Sequence, residues 1–161
     1  MNKLLLPLSP DRVDHIKWAL IGVMISWALA ALLACSTPPA SGSYSLYQQL
    51  GGQSGIELVV SRTLDRVSSD PRSKHSFQGI KMPYLKKSVA AYLCKVADGP
   101  CEYEGETMAR SHAKSNITAA EFDLMVTVIR EELDRAGVSD GAKNELLRRL
   151  APTRRDIVTA P

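Results

Sequence analysis

Apolar residues fall along this chain in two different ways. From Trp18 to Ala34 they run unbroken as WALIGVMISWALAALLA, 17 residues without a charge, preceded by Lys3, Arg12 and Lys17. From Tyr44 onward they recur every three or four residues, the period of a helix with one buried face. A basic start, an apolar stretch and small residues at its end make an export signal, which is set apart from fold reasoning. The alternative is an uncleaved membrane anchor, for which this length is the lower limit of a bilayer span.

Beyond the apolar run the pattern predicts helices throughout. Ser45-Leu46-Tyr47-Gln48 has capping-box form and opens a short helix that Gly51-Gly52 stops. Ile56, Val59, Val60, Thr63, Leu64 and Val67 have the spacing of a second helix, ended by Ser68-Ser69-Asp70-Pro71. A loop with His75, Phe77 and Gly79 follows. A third helix starts near Pro83 and places Met82, Leu85, Val89, Tyr92, Leu93 and Val96 on one side until Asp98-Gly99-Pro100 breaks it. A short helix over 106–113 puts Met108 and His112 four apart, on one face. Thr118-Ala119-Ala120-Glu121 is a second capping box, heading a long helix with Phe122, Met125, Ile129 and Leu133 inward. Gly137 stops it, and Ser139 or Asp140 caps a last helix with Leu146, Leu147 and Leu150, kinked at its end by Pro152. No period-two strand is present, so the expected class is all-α.

Leu32-Leu33-Ala34-Cys35, followed by Ser-Thr-Pro-Pro-Ala-Ser-Gly-Ser, resembles the lipobox of bacterial lipoproteins. The resemblance implies a signal peptide over 1–34, a flexible tether over 35–43 and a folded domain over 44–161. It also implies acylation of Cys35, and two or more acyl chains suffice for stable anchoring. Ser36 after the cysteine implies sorting to the periplasmic face of the outer membrane. With Cys35 assigned to lipid, Cys94 and Cys101 remain as an even pair, seven apart, in a compartment that permits disulfides. A disulfide is favoured over two buried thiols. No Cys-x-x-Cys-His is present, so covalent c-type haem attachment is not indicated. After residue 34 there are 17 Lys/Arg against 15 Asp/Glu, a net +2. That balance gives nucleic-acid binding little support, and Arg148, Arg149, Arg154 and Arg155 read as a solvated helix face.

The histidines narrow the chemistry. His15 leaves with the signal, and His75, among Arg72, Ser73, Lys74 and Ser76, reads as a surface residue. His112 shares a face with Met108 and precedes the apolar Ile117 and Phe122. No second histidine, carboxylate or cysteine stands at ligand spacing, so zinc is not indicated. Nor is there a Gly-x-Ser-x-Gly turn for a serine hydrolase. Taken alone, such a histidine is more often structural than a ligand.

Residues 44–158 resemble the group I truncated haemoglobins, small globins with a two-over-two helical sandwich. The resemblance rests on Ser45-Leu46-Tyr47, Leu50-Gly51-Gly52, Gly55-Ile56-Glu57, Asp70-Pro71, Phe77-x-Gly79, Gly99-Pro100, Tyr103-x-Gly105, Met108-x-x-x-His112, Ile117-Thr118-x-x-x-Phe122 and Leu150-Ala151-Pro152, in order. It implies one non-covalent haem b per chain, with His112 as the proximal iron ligand. Phe77 is then the phenylalanine against the haem face, and Met108, Ile117, Phe122 and Met125 line the proximal and rear walls.

The departures from the family bear on mechanism. Many members place a tyrosine on the second helix and a glutamine on the next long one. Here Leu64 stands at the tyrosine position, Leu85 and Val89 lie over the haem, and Val89 replaces the glutamine. None of the three donates a hydrogen bond, and losing a donor worth about 1.5–3 kcal/mol weakens oxygen binding roughly ten- to hundredfold. Tyr92, one turn beyond Val89, either returns a hydroxyl or is a core residue with a wet tip, the second being favoured. Glu106 stands where the family often has arginine, which leaves Lys81 and Lys86 as candidates for the haem propionates. The expected function is reversible binding of O2, NO or CO at a membrane-tethered haem outside the cytoplasm. The alternatives are a redox or sensor lipoprotein acting through a membrane partner, or an NO dioxygenase, which needs an electron donor that the sequence does not name.

Overall fold

The computed structural model describes residues 44–160; the signal segment, Cys35 and the rest of the tether lie outside the described residues. The chain is helical, with no strand among the described residues. In order the helices are α1 (Leu46–Gln49), α2 (Gly52–Ser69), α3 (Met82–Val96), α4 (Met108–His112), α5 (Ala119–Arg135), α6 (Asp140–Leu150) and α7 (Arg154–Ile157). A 3-10 turn, Lys74–Phe77, joins α2 to α3, and another, Ala151–Thr153, joins α6 to α7.

The helix starts follow from side chains that satisfy backbone N–H groups otherwise left without partners. Ser45 with Gln48, and Thr118 with Glu121, each form a complete capping box. Ser139, rather than Asp140, caps α6, accepting from the backbone N–H of Ala142. Gly51 turns the chain into α2 at φ 84°, left-handed backbone that glycine adopts without a Cβ penalty. Pro152 ends α6 in a 3-10 turn, after which α7 adds one short helical turn.

Helix α2 lies at the centre, packed on α3 and α5, while α1 packs on α2 and α6 and α3 touches α6. Ile56, Val59, Val60, Leu64 and Val67 of α2 meet Ala90, Leu93 and Cys94 of α3, Val128, Ile129 and Leu133 of α5, and Ala142 and Leu146 of α6 in one buried cluster. Packing is tight: a void lined by Leu50, Ile56, Val59, Leu93, Leu133 and Leu146 measures only about 10 Å³, at the margin of holding one water. The charges that enter this layer are paired. Glu132, 2% exposed, accepts from Arg66 at 2.8 Å and from Arg135, and Lys143 meets Asp134 and Asp140. A different balance prevails around α4, whose residues form no part of the buried cluster.

Candidate functional site

Helix α3 presents three faces. Ala90, Leu93 and Cys94 are buried in the core. On the next stripe, at helical spacing, Met82, Leu85, Val89 and Tyr92 are half-buried, and Lys81, Tyr84, Lys87 and Lys95 are exposed on the third. The sequence pattern groups Leu93 with the second stripe; the structure assigns it to the core, because Leu93 lies one residue round the helix from Tyr92 and meets the void between α2, α5 and α6. Phe77, Leu85, Val89, Tyr92 and Met125 rest on the core while keeping part of their surface outside it. Met108, Ile117 and Phe122 are also half-buried, but do not pack on that core. A set of apolar side chains left half-covered across α3, α4 and the start of α5 is where an apolar group can be held.

His112 ends α4, a five-residue helix started by the Thr107 hydroxyl accepting from the Arg110 N–H. Its Nδ1 lies 2.8 Å from the Met108 carbonyl oxygen and 3.0 Å from the Ser111 hydroxyl. A carbonyl only accepts, so the first contact assigns the proton to Nδ1 and leaves the lone pair on Nε2. That tautomer, oriented by a backbone acceptor, is the form in which histidine ligates a metal. Among the described residues no group of three His, Cys, Asp or Glu could hold a metal ion by itself. A single histidine with an oriented ring, in a chain that leaves Met108, Ile117 and Phe122 half-covered, fits a haem iron, which would need only one ligand from the protein.

Three clasps hold the short segment that carries His112. Cys94, at the end of α3, and Cys101, after it, are joined in a disulfide with Cα atoms 5.8 Å apart. Between them Gly99 is wedged so closely that a Cβ would lie 2.5 Å from the Cys94 Sγ and from the Tyr47 ring. Tyr103 then packs edge-on against Tyr92, ring centroids 5.2 Å apart, and donates to the Glu106 carbonyl at 2.9 Å. On the far side of α4, Ile117 accepts from the N–H groups of Thr159 and Ala160 at 3.0 and 3.1 Å and donates to the Thr159 hydroxyl. The third clasp is Glu121. One carboxylate oxygen accepts from the Ser76 hydroxyl and lies 3.3 Å from His75 Nε2; the other accepts from the Thr118 N–H and hydroxyl. This residue ties the turn bearing Phe77 to the start of the helix bearing Phe122. Burial pushes the Glu121 carboxyl up, but the bonds from Ser76 and Thr118, with His75 beside it, outweigh that and hold it below the usual carboxylate range.

The other expected positions differ in how far they are covered and in what they meet. Leu64 is 2% exposed and belongs to the main core, unlike the half-covered Leu85 and Val89. Beside it the buried Thr63 hydroxyl has no hydrogen-bond partner among the described residues. Tyr92 turns toward Tyr103, and burial, then Tyr103 and Asp156, raise its phenol above the ordinary value. Lys86 is engaged with Asp65 at 2.7 Å, whereas Lys81 is exposed at the start of α3. The terminal arginines are not a uniformly solvated face. Arg149 donates to the Val96 carbonyl and Asp98, and Arg154 stands 5.6 Å over the Phe122 ring. His75, 60% exposed, is a surface residue with a partner. Glu121 was legible as a cap; its bond to Ser76, 45 residues earlier, leaves no local signal. A wider groove of about 670 Å³ between the end of α2 and α5 is open, polar and lined by Arg66, Asp70, Arg72 and Glu131, and it includes none of the residues above.

The family model for bacterial-like globins matches residues 45–159. A group 1 truncated haemoglobin of Tetrahymena thermophila is 30% identical over 112 residues, covering 70% of this chain and 93% of the relative. That of Tetrahymena pyriformis is 28% identical over 114 residues. Its crystal structure in the Fe(III) form superposes with a TM-score of 0.67, covering 70% of this chain and 97% of the other. The 2/2 haemoglobin of a Synechococcus strain, solved in the cyanomet state with covalently attached haem, shares the fold at a TM-score of 0.66 and 22% identity, covering 71% of this chain and 98% of that one.

Proposed function

The chain belongs to the bacterial-like globin family and carries a truncated-globin domain, and from that premise we propose that it binds a diatomic gas reversibly at a haem ligated by His112. The haem is b-type, held without a covalent bond. The observation that carries the assignment is the 2.8 Å contact of His112 Nδ1 with the Met108 carbonyl, which orients the ring and reserves Nε2 for the metal. Haem, held by His112, would supply the iron at which O2, NO or CO binds.

The chain's own residues set the environment of that ligand. Phe77, Met108, Ile117, Phe122 and Met125 supply apolar surface to the macrocycle and exclude water. Leu85 and Val89 form the distal wall and offer a bound gas no donor; Leu64, drawn into the core behind them, offers none either. Oxygen is stabilised by a donated hydrogen bond more than NO or CO is, so this wall lowers oxygen retention relative to the other two. Lys81 is the cation placed to meet a propionate, since Lys86 is held by Asp65. Stopped-flow oxygen dissociation tests the distal assignment. Fast release is expected, slowed roughly ten- to hundredfold in Val89→Gln. Slow release by the unaltered protein, accelerated in Tyr92→Phe, overturns it.

The domain works outside the cytoplasm, tethered through lipid on Cys35. The Cys94–Cys101 disulfide supports this reading, because such bonds persist in oxidising compartments. Incorporation of labelled palmitate, lost in Cys35→Ala, is the expected result. Equal labelling of the variant, or none of either, contradicts it.

A further inference from the structure

Charge is unevenly divided along the folded domain. From residue 71 to 97 there are six Lys/Arg and no Asp or Glu. The rest of the chain after Cys35 carries eleven Lys/Arg against fifteen Asp/Glu. Elsewhere the cations are largely answered: Arg66, Arg135, Lys143, Arg148 and Arg149 all stand in ion pairs. In the basic segment Arg72 is matched by Asp70 and Lys86 by Asp65. Lys74, Lys81, Lys87 and Lys95 have no ion-pair partner among the described residues, and all four are exposed.

Lys87 and Lys95 share the outer stripe of α3, with Lys81, the cation placed to meet a propionate, at its start, at the spacing 81, 84, 87, 91 and 95 that keeps one helix face. Tyr84 stands among them, 75% exposed, and Ile80, 42% exposed, immediately precedes the helix. An unpaired cationic stripe with an aromatic ring and an aliphatic side chain at one end suits a surface that is anionic and has an apolar layer beneath. We propose that this face of α3 docks on an anionic lipid bilayer, resting on the reading that Cys35 tethers the domain to a membrane. Eight residues, 36–43, separate Cys35 from Tyr44. Fully extended they reach about 29 Å, comparable with the domain's own diameter. At that distance the bilayer is always within reach, so the electrostatic attraction that brings the free domain to anionic lipid also orients the tethered one. The neighbouring stripe of the same helix carries Leu85 and Val89, so docking fixes the distal helix against the lipid. NO and O2, being apolar, concentrate in bilayers, and this orientation sets the gas pocket beside their richer phase.

The relatives consist almost wholly of this domain, 93% of one being matched, so residues 36–161 loaded with haem and lacking lipid can be tested directly. Flotation with phosphatidylglycerol–phosphatidylcholine vesicles is compared with phosphatidylcholine alone, at low and raised salt. Binding to the anionic vesicles only is expected, weakened roughly fivefold by each of Lys87→Glu and Lys95→Glu and reduced by salt. Tyr84→Ala also weakens it, whereas Arg130→Glu, on α5, does not. Binding to neutral vesicles alike, or anionic binding indifferent to the α3 reversals, overturns the proposal. So does no vesicle binding at all, which would give the face to an acidic protein instead. Because the protein tested carries no lipid, its failure is separate from any failure of acylation at Cys35.

Discussion

The two ends of helix α3's neighbourhood are built on opposite terms. Toward α2, α5 and α6, side chains interlock until almost no void remains, and the layer is held chiefly by apolar burial, its few charges being paired. Toward α4, equally apolar residues stay half-covered, and the segment is held by discrete clasps: a disulfide, the Ile117–Thr159 bonds and the Glu121 carboxylate. A ligand-binding half has to leave its apolar surface available, so it substitutes directional and covalent links for packing. The lesson is that stability and binding are sited on different faces of the same helix.

That division can be broken at either side. Leu133, 1% exposed, sits in the packed half; Leu133→Ala is expected to lower unfolding free energy by about 3–4 kcal/mol, measured by urea unfolding with haem present and absent. A loss confined to the haem-loaded form would show that the core is not independent of the site. Removing the disulfide with Cys94→Ala and Cys101→Ala opens a short loop, for which about 2–3 kcal/mol is expected. Hydrogen exchange should then rise in residues 98–116 more than in α2.

Smaller effects sharpen the contrast. Glu121 has its carboxyl held below the ordinary value, so its contribution is fully present above the usual carboxylate range and is lost as pH falls through the lower folded value. Glu121→Gln should cost about 1 kcal/mol at pH 7 and flatten acid unfolding. It should also speed exchange in the Lys74–Phe77 turn, which a purely local cap would not do. Thr63, whose buried hydroxyl lacks a partner, is expected to tolerate Thr63→Val with a gain of up to about 1 kcal/mol by thermal unfolding. A clear loss would show that the hydroxyl is bonded in the haem-loaded protein.

Local physics made the helices legible in the sequence. Both capping boxes, the Gly51 turn and the Asp70-Pro71 stop act within a few residues, and each stands where the pattern places it. The short helix was less legible: the pattern extends it over 106–113, and it spans only Met108–His112 because the Thr107 hydroxyl caps it later. Periodicity identifies the apolar side of α3 but does not divide the buried Leu93 from the half-covered Val89, since both are strongly hydrophobic and differ only in what faces them. Leu64 is buried, as its place on the periodic face of α2 predicts. Contacts that span the chain, such as Glu121 with Ser76 and Arg149 with Val96, have no signature in spacing. His112 itself was legible only by resemblance; the structure adds the ring orientation.

The most direct test of His112 is an absorption spectrum of haem-loaded residues 36–161, reduced, with and without CO. A sharp CO-dependent Soret shift in the unaltered protein, absent in His112→Ala and restored when imidazole is added to that variant, is the predicted result. An unchanged spectrum in His112→Ala would contradict the account and move the haem ligand elsewhere.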